Sequence, residues 1–103
     1  MRNRLPFDIT KRAKKQLKQI KRADSVLYRK MLEGIESIRL NPILCVAKKG
    51  DLKGFRSLDI YHQKTNYELT YKVEFNNEGE LINIVFIGTR ENFYDELKRY
   101  LNL

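Results

Sequence analysis

The sequence predicts an α+β fold, with helices grouped on one face of a mostly antiparallel sheet, and three observations carry that prediction. Apolar residues recur at helical spacing through residues 11–40, and from Phe55 onward they switch to alternation. The alternating stretches then follow one another with only polar turns between them, so they pair as a meander rather than as crossover units. A chain of 103 residues supports one modest core, and residues 1–103 are read as a single domain.

Each element has a local reason. Leu5-Pro6-Phe7-Asp8-Ile9-Thr10 alternates around Phe7 and Ile9, and Pro6 fits only a strand start or an edge, which predicts a short first strand. Thr10 caps a helix whose Ala13, Leu17 and Ile20 form a narrow apolar stripe, while Lys11, Arg12, Lys14, Lys15, Lys18, Lys21 and Arg22 occupy the rest of its surface. Asp24 or Ser25 opens a second helix with a core stripe of Leu27, Met31, Ile35 and Ile38, an Arg29–Glu33 pair at ion-pair spacing, and an end at Asn41-Pro42. The short break between the two favours an antiparallel helix hairpin, with Gly34 as a place where the helices approach closely.

Residues 43–54 read as a loop. In the strand from Phe55 to Tyr61, Leu58 and Ile60 point one way and Ser57, Asp59 and Tyr61 the other. A polar turn over His62 to Asn66 leads into a strand alternating through Tyr67, Leu69, Tyr71, Val73 and Phe75. The loop Asn76 to Glu80 returns the chain to Leu81–Ile87, which is apolar nearly throughout and therefore central. Gly88 and Thr89 lead to a short C-terminal helix, acidic early at Glu91, Asp95 and Glu96 and basic late at Lys98 and Arg99, with Tyr94, Leu97 and Leu101 to dock it.

Composition narrows the function classes. The net charge is +8, and residues 1–30 alone hold eleven Lys or Arg against Asp8 and Asp24. The positive field therefore comes from one stretch, which suits a polyanion or an acidic protein partner as well as it suits a solvated helix face. No apolar run reaches the 18 or so residues of a membrane span, and the N-terminus lacks the apolar core of a signal peptide, so a cytoplasmic location is expected. Cys45, the one cysteine, excludes an internal disulfide and reads as a buried small apolar residue. No metal site and no cofactor is implied.

The order of elements, with Leu52-Lys53-Gly54 ahead of the second strand, Tyr67-Glu68-Leu69-Thr70-Tyr71-Lys72-Val73 in the third and Ile87-Gly88-Thr89-Arg90-Glu91-Asn92-Phe93-Tyr94 at the end, resembles the RelE/ParE superfamily of bacterial type II toxins over almost the whole chain. The resemblance implies a growth-arresting protein neutralised by a cognate antitoxin, which wraps it with an acidic, partly disordered segment. Among such toxins many cut messenger RNA in the ribosomal A site and others inhibit DNA gyrase without catalysis. The first of these activities is the leading expectation here. The second is the alternative, beside a catalytically silent antitoxin-binding homologue.

Metal-independent RNA cleavage needs a base for the 2′-hydroxyl proton, an acid for the leaving oxygen and fixed positive charge for the phosphorane. By the resemblance, Arg90 and Tyr94 match an arginine and a tyrosine of the nucleases and take charge stabilisation and nucleotide contact. Where RelE carries basic catalytic residues, this chain has Ser57, Asp59 and Glu68. With a turn centred near residues 63 and 64, Asp59 and Glu68 face each other on the solvent side of a hairpin. Their repulsion either poises one as a proton acceptor or is neutralised by Lys53, Arg56 or Lys72. His62, the one histidine, is a candidate proton donor in the turn. Lys48, Lys49, Lys53 and Arg56 are candidate phosphate contacts, and Lys14, Lys15 and Lys18 candidate contacts for the acidic partner.

Overall fold

The computed structural model describes residues 4–45, 47, 53–91, 93, 95, 98, 99 and 102. Its elements are β1 (Phe7–Ile9), α1 (Lys11–Ala23), α2 (Ser25–Leu40), β2 (Phe55–His62), β3 (Thr65–Asn76) and β4 (Gly79–Thr89). The four strands form one sheet in the order β1-β4-β3-β2, antiparallel except for β1, which runs parallel to β4. Both helices cover the same face, as the sequence predicts for an α+β fold of this order.

The two caps are where the sequence fixes the geometry most firmly. Thr10 Oγ1 accepts the Ala13 N–H at 3.1 Å to start α1, and the same hydroxyl donates to the Val85 carbonyl at 3.0 Å, so one side chain both caps the helix and ties it to β4. Asp24 ends α1, its N–H reaching Ile20 O at 2.8 Å, and starts α2, its carboxylate accepting from Val26 N and Leu27 N at 3.1 Å each. The second oxygen, Oδ2, accepts from His62 Nε2 at 2.8 Å. Lys30 Nζ, with only hydrogens to offer, lies 3.1 Å from His62 Nδ1, so Nδ1 accepts and Nε2 carries the hydrogen given to Asp24. The helix junction is thereby bolted to the β2–β3 hairpin.

The core follows the expected stripes. Ala13, Leu27, Met31, Ile35 and Ile38 meet Ile60, Leu69, Tyr71, Ile82, Ile84 and Ile87, all buried, with Leu17, Ile20 and Leu58 packed around them. Gly34 corrects one expectation. An added Cβ there would lie 2.9 Å from Leu58 Cδ2 and 3.2 Å from Ile60 Cδ1, so the close approach is between α2 and β2 and not between the two helices. The Arg29–Glu33 pair forms at 3.8 Å with both side chains 71% exposed, and at that exposure it contributes little.

The turns are tighter and the strands longer than the alternation alone indicates. His62 pairs with Thr65, leaving Gln63 and Lys64 as a two-residue turn, with φ of 48° and 65°. The expected loop over Asn76–Glu80 likewise shrinks to Asn77 and Glu78, because Asn76 Oδ1 takes the Glu78 N–H at 2.8 Å and Gly79 supplies φ of 120°. Gly88 and Thr89, expected to lead into a helix, stay in β4 because they pair with Glu68 and Tyr67. The C-terminal helix is not among the described elements, and Tyr94, Leu97 and Leu101 lie outside the described residues.

Strand β4 needs help at its outer edge, since β1 pairs only with Ile82, Asn83 and Ile84. A register shift follows, Thr70 facing Phe86 and Tyr71 facing Ile84, which leaves Val85 as the extra residue. Side chains of the first helix complete this edge: Thr10 binds the Val85 carbonyl, and Gln16 Oε1 accepts the Ile87 N–H at 2.9 Å. On the far face Val85, Phe86 and Phe93 form a second small core with Phe55 against it, and the Phe86 and Phe93 rings meet edge to face at 5.8 Å.

Two outcomes follow. Thr10→Ala removes a cap and an edge hydrogen bond together and is expected to destabilise by about 1–2 kcal/mol in denaturant unfolding, more than a surface cap alone would cost. The hydrogen bonds from Leu27 N, His62 and Val26 N hold the Asp24 carboxyl below its ordinary 3.8, first among them that from Leu27. A depressed carboxyl contributes stability that is present above its unfolded value and is lost as pH falls through the folded one. The thermal stability of the wild type should therefore fall below about pH 4, and Asp24→Asn should flatten that part of the profile.

Candidate functional site

The face of the sheet turned away from the helices carries its polar residues in rows, because directly paired residues of antiparallel strands point to the same side. One row is Ser57 and Thr70 with Phe86, and the next is Asp59 and Glu68 with Gly88. The last is Tyr61 and Asn66, continued by Arg90, whose N–H donates to the Asn66 carbonyl at 2.8 Å. The expected opposition of Asp59 and Glu68 is thus present in the register. Their surroundings differ, however: Asp59 is exposed, whereas Glu68 is only 3% exposed and does not lie on a solvent face as the hairpin pattern implied. Alternation within the hairpin gives the face of Glu68 but not the depth of its cover.

Around this pair Ser57 Oγ lies 3.4 Å from Thr70 Oγ1, and the Lys72 ammonium sits over the Phe55 ring at 5.6 Å. Lys72 therefore occupies the same face as the carboxylates but is engaged with an aromatic ring one step beyond the Ser57 row. Arg90 is exposed at the end of β4 and lines a cavity of about 190 Å³ together with Lys64, Thr65, Asn66, Thr89 and Glu91.

Other sequence candidates fall elsewhere. His62, expected in a turn, is a strand residue 7% exposed on the helix side, so the sheet lies between its ring and the Asp59–Glu68 row. Arg56 pairs with Tyr71, whose ring is in the main core, and its guanidinium donates to the Cys45 carbonyl, so it braces the loop after α2. Lys53 is exposed in the turn before β2. Lys48, Lys49 and Tyr94 lie outside the described residues. Cys45 is half-buried, its thiol pushed up by desolvation. Among the described residues, no three His, Cys, Asp or Glu side chains gather as metal ligands.

A second feature lies on the helix side. Phe7, Ile9, Leu17, Tyr28, Leu32 and Ile35 line a groove of about 300 Å³ whose rim carries Lys14, Lys18 and Lys21. Lys15, the third basic residue expected to meet a partner, is exposed on α1 but does not line it. Phe7 and Leu32 are 38% and 40% exposed. The charge run alone located the lysines; Lys21 and the apolar floor were not legible because the floor is assembled from β1, α1 and α2. The same holds for Asn66 and Lys64, which meet Arg90 only through the β3–β4 pairing.

Comparison with known proteins agrees with this architecture. The family model described as ParE-like toxin of type II bacterial toxin-antitoxin system matches residues 8–98. Comparison with curated proteins finds no match. A solved structure, the YoeB/ParE toxin from Agrobacterium tumefaciens, superposes with a TM-score of 0.73 at 17% identity, covering 84% of this chain and 99% of that one, a likeness of fold. No described helix is long and apolar enough to cross a membrane. With the match running from β1 through β4 and beyond, the chain belongs to the ParE-like toxins of type II bacterial toxin-antitoxin systems.

Proposed function

We propose that this toxin is a metal-independent, ribosome-dependent endoribonuclease that acts on messenger RNA in the cytoplasm and so blocks translation. The observation that carries the reading is the neighbouring position of two rows on one face of the sheet: exposed Asp59 with buried Glu68 paired to it, and beside them the row that ends in exposed Arg90. Asp59, being exposed, is the member that reaches a substrate 2′-hydroxyl as proton acceptor, and buried Glu68 lies behind it. Arg90 supplies fixed positive charge for the phosphorane. Such charge acts most strongly when it is already in place before the reaction. Tyr94, Lys48, Lys49 and Lys53 remain candidates for contact with the nucleotide and its phosphates. His62 faces the other side of the sheet and takes no part in this arrangement.

One observation favours a second reading. The Ser57, Asp59 and Glu68 positions carry no base or cation of the RelE kind, and the matching family model is ParE-like. A non-catalytic inhibitor of DNA gyrase needs none of those groups. Asp59→Asn and Arg90→Ala separate the two. If the protein is a nuclease, each variant should slow cleavage on programmed ribosomes by at least ~10²-fold in primer extension, the usual contribution of a general base or an oxyanion donor. Intact messenger together with inhibited supercoiling by the wild type would instead establish the gyrase reading.

A type II toxin has a cognate antitoxin. The groove between α1, α2 and β1 is the surface proposed for its acidic segment: apolar along the floor and rimmed by Lys14, Lys18 and Lys21, it matches an amphipathic strip with carboxylates along its edges. Lys15 widens the positive field from the outer surface. Replacing Lys14, Lys15 and Lys18 by Glu should weaken toxin–antitoxin binding and flatten its dependence on salt, whereas Leu32→Ala should weaken it with the salt slope unchanged. Isothermal titration at two ionic strengths reads both effects, and unchanged affinity in both variants would place the antitoxin elsewhere.

A further inference from the structure

We propose that the end row of the open face, Tyr61, Asn66 and Arg90 with Lys64 beside it, is a binding subsite for one unpaired RNA nucleotide, and that Tyr61 and Asn66 are its base-contacting residues. The proposal rests on the nuclease reading only for its consequence in catalysis. The geometry stands by itself.

Tyr61 is 66% exposed on a half-buried strand, directly across from Asn66. The two-residue turn makes His62 and Thr65 the hydrogen-bonded closing pair, so Tyr61 and Asn66 form the closer type of pair, with Cα atoms about 4.5 Å apart. An exposed ring in this position is a stacking platform, and stacking tolerates any base because every base has a π-face. The Asn66 carbonyl is used by the Arg90 N–H, but its side-chain oxygen is shut off from water and has no hydrogen-bond partner. That oxygen is enclosed, so a ligand meets Asn66 through its amide NH2, on a residue that is half-buried and lines the cavity. A side-chain NH2 offers two hydrogens, which suits the acceptor atoms on the edge of a base.

Charge completes the set. Lys64 sits in the left-handed region, at φ of 65°, in a turn position that asparagine or glycine would fill with less strain. That geometry holds the lysine at the mouth of the cavity shared with Asn66 and Arg90. Lys64 and Arg90 place two positive charges there against one carboxylate, Glu91, which leaves a net attraction for a phosphate. The cavity, about 190 Å³, is smaller than the ~300–1,000 Å³ of sites that enclose a drug-sized ligand, and so fits part of a nucleotide held on an open surface. Asp59 lies two residues from Tyr61 on the same side of β2, roughly 7 Å along the strand, so the ribose of a base stacked on Tyr61 is within reach of that carboxylate.

The test is fluorescence anisotropy at low salt with labelled pentanucleotides of single-stranded RNA, one for each base, in the absence of ribosomes. Tyr61→Ala should weaken binding to all four by roughly 5- to 150-fold, the range expected from loss of one stacked base, and Tyr61→Phe should restore it because the ring is kept. Asn66→Ala should narrow the spread of affinities among the four oligonucleotides more than it lowers their mean. Thermal melts of the exposed-site variants show whether the fold is kept. Wild-type affinity in both Tyr61→Ala and Asn66→Ala would overturn the subsite, as would a Tyr61→Ala that binds RNA normally but no longer inhibits gyrase, since the row would then serve a protein surface. Oligonucleotide binding that depends on Tyr61, alongside wild-type protein that leaves messenger intact on ribosomes, would overturn the nuclease reading and keep the subsite.

Discussion

From Ile82 to Ile87 strand β4 is closed in by helices on one side and by the Phe86–Phe93 layer on the other, so its backbone groups must find partners inside the protein. Its inner edge is paired with β3 along almost the full length. Its outer edge meets β1 for three residues only and is then completed by Thr10 and Gln16 from the first helix. Much else depends on this. The first helix cannot shift without uncovering Val85 and Ile87, and its position sets where α2 and the lysine-rimmed groove come to lie. The extra residue at Val85 lets β4 continue in register with β3 as far as Glu68 and Tyr67. It thereby delivers Arg90 to the end of the sheet.

The consequence is a molecule with two faces of different chemistry, on opposite sides of the sheet. On the helix side Asp24 joins both helices to His62, and a basic apolar groove runs beside them. On the far side Asp59, Tyr61 and Arg90 are exposed, with Glu68 buried beside them. Because alternate residues of a strand point to opposite faces, His62 and Asp59 go to different sides although only three positions separate them. A partner seated on the helices need not compete for space with a substrate on the sheet. Its effect on activity would pass through the sheet or through the C-terminal segment.

The main core between helices and sheet does not include Ser57, Asp59 or Glu68. At 17% identity the Agrobacterium tumefaciens toxin has a similar fold, so widely different sequences are compatible with it. Ser57, Asp59 and Glu68 sit on strand positions whose neighbours above and below are set by Leu58, Ile60, Leu69 and Tyr71 facing the other way. Exposed Asp59 can therefore change while the strand stays in register, whereas buried Glu68 is constrained by what covers it.

By itself the sequence determined what depends on near neighbours along the chain. Helical spacing of Leu27, Met31, Ile35 and Ile38, the caps at Thr10 and Asp24, the alternation through β2 and β3 and the apolar run of β4 are short-range facts, and each places its element and buried side correctly. The basic run on α1 was legible for the same reason. What tertiary structure alone decided involves residues far apart in the chain. It buried Glu68 but not Asp59, turned Gly34 toward β2, drew His62 out of the turn to meet Asp24, engaged Arg56 with the loop at Cys45, and brought Arg90 beside Asn66. Alternation gives a residue its face, but what covers that face comes from another segment, and no local pattern encodes the depth of that cover.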